Sequence, residues 1–123
     1  MAARKLLVVD DSGFARRTLR HILEAAGFEV EEASEGSEAM AKYLTVKPDG
    51  VLLDIVMREM SGLEVLQKLR EADPEARVIM ATADVQEATK REALAAGAAG
   101  FIKKPFKAEE VVSTVSRVLN EAG

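Results

Sequence analysis

Polar residues close four separate apolar runs of this chain. Asp10 and Asp11 follow Leu6-Leu7-Val8-Val9, and Asp54 follows Val51-Leu52-Leu53. Thr82 closes the run that begins Val78-Ile79-Met80, and Lys104 comes directly after the stretch Gly100 to Lys103. Three carboxylates brought together repel and raise one another's pKa unless positive charge intervenes. A hard divalent cation meets that need, and Mg2+ favours one or two carboxylates, waters and phosphate oxygens over an all-protein cage. With the metal and the Lys104 ammonium in place, a carboxylate stays ionised and can act as a nucleophile toward phosphorus. Phosphoryl transfer asks mainly for positioning and charge neutralisation, which a cation, an ammonium and a hydroxyl donor supply.

Each of these residues taken singly has a plainer reading. Adjacent acids after a strand are a common helix-start signal, Asp54 alone fits a turn, and Thr82 alone fits a strand-end hydroxyl bonded to backbone. A lone lysine is usually solvated. Four suitable groups at four strand ends are much harder to assign to chance.

The elements that must position them follow an alternating pattern. The runs at 6–9, 51–53 and 78–80 are continuously apolar, as in strands buried on both faces of a parallel sheet. Two weaker strands complete the set. Phe28 to Ala33 alternates apolar and acidic at first, like an edge strand, and Gly100 to Lys103 is short and ends in charge. Ser12 is a suitable N-cap for a first helix whose face carries Ala15, Thr18, Leu19, Ile22, Leu23 and Ala26, with Gly27 placed to stop it. A second helix is expected from about Gly36 to Leu44, and Leu63, Leu66 and Leu69 mark a third that Pro74 limits. A fourth spans roughly Val85 to Ala96 before Gly97, and Val111, Val112, Val115, Val118 and Leu119 give the last its helical spacing.

Five strands alternating with five helices predict an α/β doubly wound parallel sheet. The order 2-1-3-4-5, the flavodoxin-like arrangement, places the three most apolar strands centrally and the two weaker ones at the edges. In such sheets the ligand site lies at the carboxyl ends of the strands. That is where Asp10, Asp11, Asp54, Thr82 and Lys104 would all fall.

The chain has 123 residues, one domain's worth, and the expectation is a single domain over 1–123 with no effector domain. Its 48% hydrophobic content supports a core, and 17 basic against 21 acidic residues leave a net charge of −4. That balance argues against a nucleic-acid binder, which needs a basic footprint. The lack of cysteine removes disulfide and thiolate-metal chemistry, and a single His removes a His-rich zinc site. No apolar run approaches a signal peptide or a membrane span, so a soluble, cytoplasmic protein is expected.

Leu7-Val8-Val9-Asp10-Asp11-Ser12, Leu53-Asp54-Ile55-Val56-Met57, Ser61-Gly62, Ala81-Thr82-Ala83 and Lys103-Lys104-Pro105-Phe106 stand in this order and spacing. Over essentially its whole length the chain resembles a response-regulator receiver domain of two-component signalling, of the stand-alone, chemotaxis-regulator-like kind. The resemblance implies that Asp54 accepts a phosphoryl group from a histidine kinase or a histidine phosphotransfer protein. It implies a Mg2+ site made by Asp10, Asp11, Asp54 and the Val56 backbone carbonyl, with Asp11 and that carbonyl as direct ligands. Lys104 would pair with the phosphoryl group, Thr82 would be the switch hydroxyl, and Phe101 occupies the aromatic switch position. Phosphorylation would then rearrange the surface of helix 4, strand 5 and helix 5 for a downstream partner. Such a protein catalyses only its own phosphorylation and slow dephosphorylation.

Three positions depart from the family pattern. Arg58 stands where proline commonly follows Met57, which predicts a less rigid loop. Val56 cannot position a water, and Asp84 adds negative charge, so a phosphorylated state not specially quick to hydrolyse itself is expected. The Lys104-Pro105 bond is expected to be cis. Helix 4, with Val85 and Leu94 as its large anchors among many alanines, reads either as a helix able to shift at low cost or as one packed close to the sheet. Arg16, Arg17, Arg20 and His21 read either as a solvated face or as a docking face for the phosphodonor. Other classes fit less well. A phosphohydrolase would place its Asp after the first strand under a cap, and a flavin carrier would not tolerate Asp10 and Asp11 beside a phosphate. A degenerate receiver acting as a constitutive interaction module is opposed by the intact set Asp11, Asp54, Thr82 and Lys104, and a phosphorelay intermediate stays open.

Overall fold

In a computed structural model, which describes residues 3–121, strands and helices alternate from end to end. They are β1 (Lys5–Val9), α1 (Gly13–Ala25), β2 (Glu29–Ala33), α2 (Gly36–Val46), β3 (Gly50–Leu53), α3 (Gly62–Ala72), β4 (Val78–Thr82), α4 (Glu87–Ala95), β5 (Gly100–Lys103) and α5 (Ala108–Glu121). All neighbouring strands are parallel, in the order β2-β1-β3-β4-β5. The flavodoxin-like order expected from the apolar runs is the one the chain adopts.

Alternation along each strand sorts the core into two layers. Leu7, Val9, Val51, Leu53, Val78 and Met80 face Ala39, Val65, Leu66, Leu69 and Ala93 of α2, α3 and α4. Leu6, Val8, Leu52, Ile79 and Ile102 face Leu19 and Leu23 of α1 and Val111, Val115, Val118 and Leu119 of α5. Strands buried on both faces need no polar face, which is why β3 and β4 read as unbroken apolar runs.

The edge strand β2 is finished differently. Glu29 N–H donates to Arg4 O and Ala33 O accepts from Asp10 N–H, so the carbonyls of Val30 and Glu32 face the open side. Arg20 Nη2 donates to Val30 O at 3.0 Å, and Lys42 Nζ donates to Glu32 O. Side chains of α1 and α2 therefore occupy the acceptors that another strand would use. Arg16 and Arg20 also pair with the Glu32 carboxylate, at 3.0 and 2.7 Å. Half of the basic run on α1 is thus braced against β2, while Arg17 and His21 stay exposed.

The helix ends follow local rules. Ser12 Oγ accepts from Ala15 N–H and Ser61 Oγ from Glu64 N–H, capping α1 and α3. Gly27 takes φ +95° just after α1, a conformation that favours glycine. Two expectations are corrected. α2 runs on to Val46, past Leu44, before Lys47 closes it at φ 52°. In α4, Val85 and Leu94 are not anchors. The helix begins only at Glu87, Val85 lies in the preceding loop, both side chains are about half exposed, and Ala93 is the one buried residue of the helix.

Candidate functional site

Main-chain bonds that continue past the strand ends set the site. Asp54 N–H donates to Val9 O at 3.0 Å, Asp10 N–H to Ala33 O at 3.2 Å, and Lys104 N–H to Thr82 O at 2.9 Å. The side chains of Asp10, Asp54 and Lys104 consequently meet. Lys104 Nζ lies 2.9 Å from Asp10 Oδ2 and 3.0 Å from Asp54 Oδ2. Asp10 and Asp54 are buried, at 1% and 5% exposure, which is exceptional for acids and marks a paired cluster, and Thr82 beside them is fully buried.

Each carboxylate has its own environment. Asp10 Oδ1 accepts from Ser12 N–H at 2.9 Å. Its Oδ2 faces the ammonium as an ionic contact off the hydrogen-bond angle and has no hydrogen-bond donor. Burial pushes the Asp10 pKa up, with Asp54 adding to the rise, against the lowering effect of Lys104 and Ser12. For Lys104, burial alone would lower the pKa, but Asp10 and Asp54 hold it above its ordinary value. Asp54 Oδ1 accepts from Val56 N–H at 3.3 Å. Behind it, Gly62 N–H donates to Ile55 O at 2.8 Å. A Cβ at position 62 would fall 2.0 Å from Asp54 O, so only glycine lets α3 start this close to the Asp54 backbone.

The other expected members are near but not joined. Asp11 Oδ2 is turned to Arg58, accepting its backbone N–H at 3.2 Å with the guanidinium Nε at 3.4 Å. Thr82 Oγ1 accepts from Asp84 N–H at 3.1 Å, and Asp84 Oδ1 accepts from Gln86 N–H at 3.2 Å. Phe101 is half-buried against the α3–α4 layer, with Lys90 Nζ 5.7 Å from its ring centre. The Lys104-Pro105 bond is cis, as expected.

Sequence reasoning did not assign the parts played by Ser12 N–H and Gly62, nor the bond between Arg58 and Asp11. Gly62 lies in the Ser61-Gly62 stretch that carries the family resemblance, but α1 and α2 begin with glycine as well, so its close approach to the Asp54 backbone shows only in the packed structure. The loop expected to be looser without proline is pinned in its own way: besides Arg58, Glu59 accepts from Ser37 N–H at 3.2 Å and from its hydroxyl.

The donor set suits Mg2+. Asp10 Oδ2 is a buried acceptor with no hydrogen bond, and acidic oxygens with a nearby main-chain loop match a cation that keeps several waters. Among the described residues no three His, Asp or Glu side chains form a ready-made cage.

A flavodoxin-like sheet with a buried Asp–Lys–Asp cluster at its strand ends defines the receiver class of two-component response regulators. The receiver-domain profile matches residues 6–116, and the chain belongs to the response regulator receiver domain family. It is 42% identical over 116 residues to chemotaxis protein CheY of Thermotoga maritima, covering 94% of this chain and 97% of that protein. To chemotaxis protein CheY of Bacillus subtilis it is 41% identical over 119 residues, covering 96% and 99%. Among solved structures it is similar to a CheY-like receiver from Methanospirillum hungatei, with TM-score 0.93, 30% identity and 98% and 97% coverage. Chemotaxis protein CheY4 of Vibrio cholerae matches with TM-score 0.91, 36% identity and 95% and 99% coverage. The chain is therefore a signalling receiver and not a turnover enzyme of the ordinary kind. No helix among the described residues is long and apolar enough to cross a membrane.

Proposed function

We propose that Asp54 accepts a phosphoryl group from a phosphohistidine of a kinase or phosphotransfer protein, in a Mg2+-dependent reaction in the cytoplasm, and that the modified protein binds a partner through α4, β5 and α5. The observation that carries this reading is the Lys104 ammonium 3.0 Å from the Oδ2 of a 5%-exposed Asp54. A carboxylate oxygen of Asp54 attacks phosphorus, the P–N bond to the imidazole breaks, and an aspartyl phosphate forms. Lys104, shared between two carboxylates beforehand, then pairs with the phosphoryl oxygens. Asp10, Asp11, Asp54 and the Val56 carbonyl would hold Mg2+, which supplies further neutralisation of the transferring group.

The switch follows from new acceptors at one point. Thr82 Oγ1 leaves Asp84 N–H and donates to a phosphoryl oxygen, and the released loop frees the start of α4. Phe101 turns into the vacated space and leaves Lys90. A groove of about 600 Å3 beside Lys104, walled by Phe14, Thr18, Pro105 and Phe106, suits the apolar surface around a donor histidine. Intact mass after incubation with acetyl phosphate is the test. One added phosphoryl group that requires both Mg2+ and Asp54, and is lost in Asp54→Asn, is expected. No adduct would overturn this reading in favour of a constitutive interaction module.

A further inference from the structure

The three acids are not held alike. Asp10 is locked by Ser12 N–H and Lys104, and Asp54 by Val56 N–H and Lys104. Both are buried, and their shared ammonium is itself only 25% exposed. Asp11 sits at the solvent side of this pair, its side chain 23% exposed, and its cationic partner is Arg58, whose side chain is 89% exposed. An ion pair with so solvated a member is weak and easily displaced. The backbone N–H of the same residue adds a second, neutral contact to the same oxygen, so Arg58 grips Asp11 at two points from the loop that also carries Val56. A cation entering beside Asp11 and the Val56 carbonyl meets a positive charge already resting on its first carboxylate.

We propose that Arg58 is a tethered cation that holds Asp11 in the metal-free protein and competes with a divalent ion there, thereby setting the metal affinity of this receiver. The proposal rests on the Mg2+-dependent reading of the site above. Its consequence runs in one direction. Removing the guanidinium leaves Asp11 a less neutralised ligand, so the metal binds more tightly. Removing the N–H as well frees the oxygen from both contacts and increases the effect. Arg58 is a positioning residue in this scheme, since it acts on the metal through Asp11.

The test is Mg2+ binding to the unphosphorylated full chain by titration calorimetry at low ionic strength. Arg58→Ala should bind roughly twofold to fivefold more tightly than the parent, the range expected for losing one exposed ion pair. Arg58→Pro, which cannot donate a backbone N–H, should gain at least as much. Arg58→Lys should stay nearer the parent. Lys68→Ala removes the same formal charge from an exposed position on α3 and should leave the affinity unchanged. Equal affinities for the parent and Arg58→Ala would overturn the proposal, whatever Arg58→Pro does to the loop. So would an equal gain in Lys68→Ala, because net charge rather than the Asp11 contact would then be responsible. Binding in the parent with no response to Arg58→Ala defeats the proposal alone. The absence of Mg2+ binding in the parent and all variants would defeat the metal-dependent reading and this proposal together.

Discussion

Three residues with unlike surroundings, Gly62, Val56 and Lys104, shape the site in different ways. Gly62 exists to let α3 pass the Asp54 carbonyl, and a Cβ there lies 2.0 Å from that oxygen. Gly62→Ala should therefore destabilise the fold by roughly 3 kcal/mol, the upper range for overpacking, as read from denaturant unfolding. Val56 stands 65% exposed at the mouth of the site with no group to hold a water. Val56→Asn should shorten the life of the phosphorylated state by roughly threefold to tenfold by orienting the attacking water, which a decay assay of the phosphorylated protein would show. Lys104 differs again, because two buried carboxylates keep its ammonium charged, so its role as a permanent positive centre does not vary across ordinary pH.

Among the elements, β2 and α4 are the two whose stability the surroundings decide. Burial pushes the Glu32 pKa up, but Arg20 and Arg16 outweigh it and hold the carboxyl below its ordinary 4.5. A carboxyl lowered in the folded state stabilises above its unfolded pKa and loses that contribution as pH falls through the lower folded value. Glu32→Gln should thus cost up to about 1 kcal/mol near neutral pH, given partial exposure of all three groups. The difference should shrink as the pH drops below 4.5, and paired thermal melts across pH 3 to 7 would show it. α4 is the opposite case, a nine-residue helix with one buried alanine and no side-chain cap at its start. Its amides should exchange with solvent faster than those of α3 or α5, where three or more apolar side chains reach the core. Protection of α4 equal to that of α3 would show that close alanine packing, not slack, is the meaning of its composition.

At the scale of the whole molecule the sheet is a device for bringing together residues 10, 54 and 104, which are held by different strands. Because the site joins these strands, a bound cation couples to global stability. Mg2+ should raise the melting temperature in proportion to the logarithm of its concentration once above its dissociation constant, and Asp11→Asn should abolish the rise. The fold was legible in the residue pattern because continuous apolar runs, helical spacing and the stop at Gly27 are local consequences of burial and backbone preference. The meeting of Asp10, Asp54 and Lys104 was legible too, since each directly follows a strand and a parallel sheet collects strand ends on one edge. Side-chain partnership was not. Nothing in the order of residues says that Asp11 turns to Arg58 while Asp10 and Asp54 share Lys104, or that Val85 and Leu94 lie outside the core. Those outcomes depend on distances of a few ångströms between segments far apart in the chain, and only packing the two helical layers against the sheet sets them.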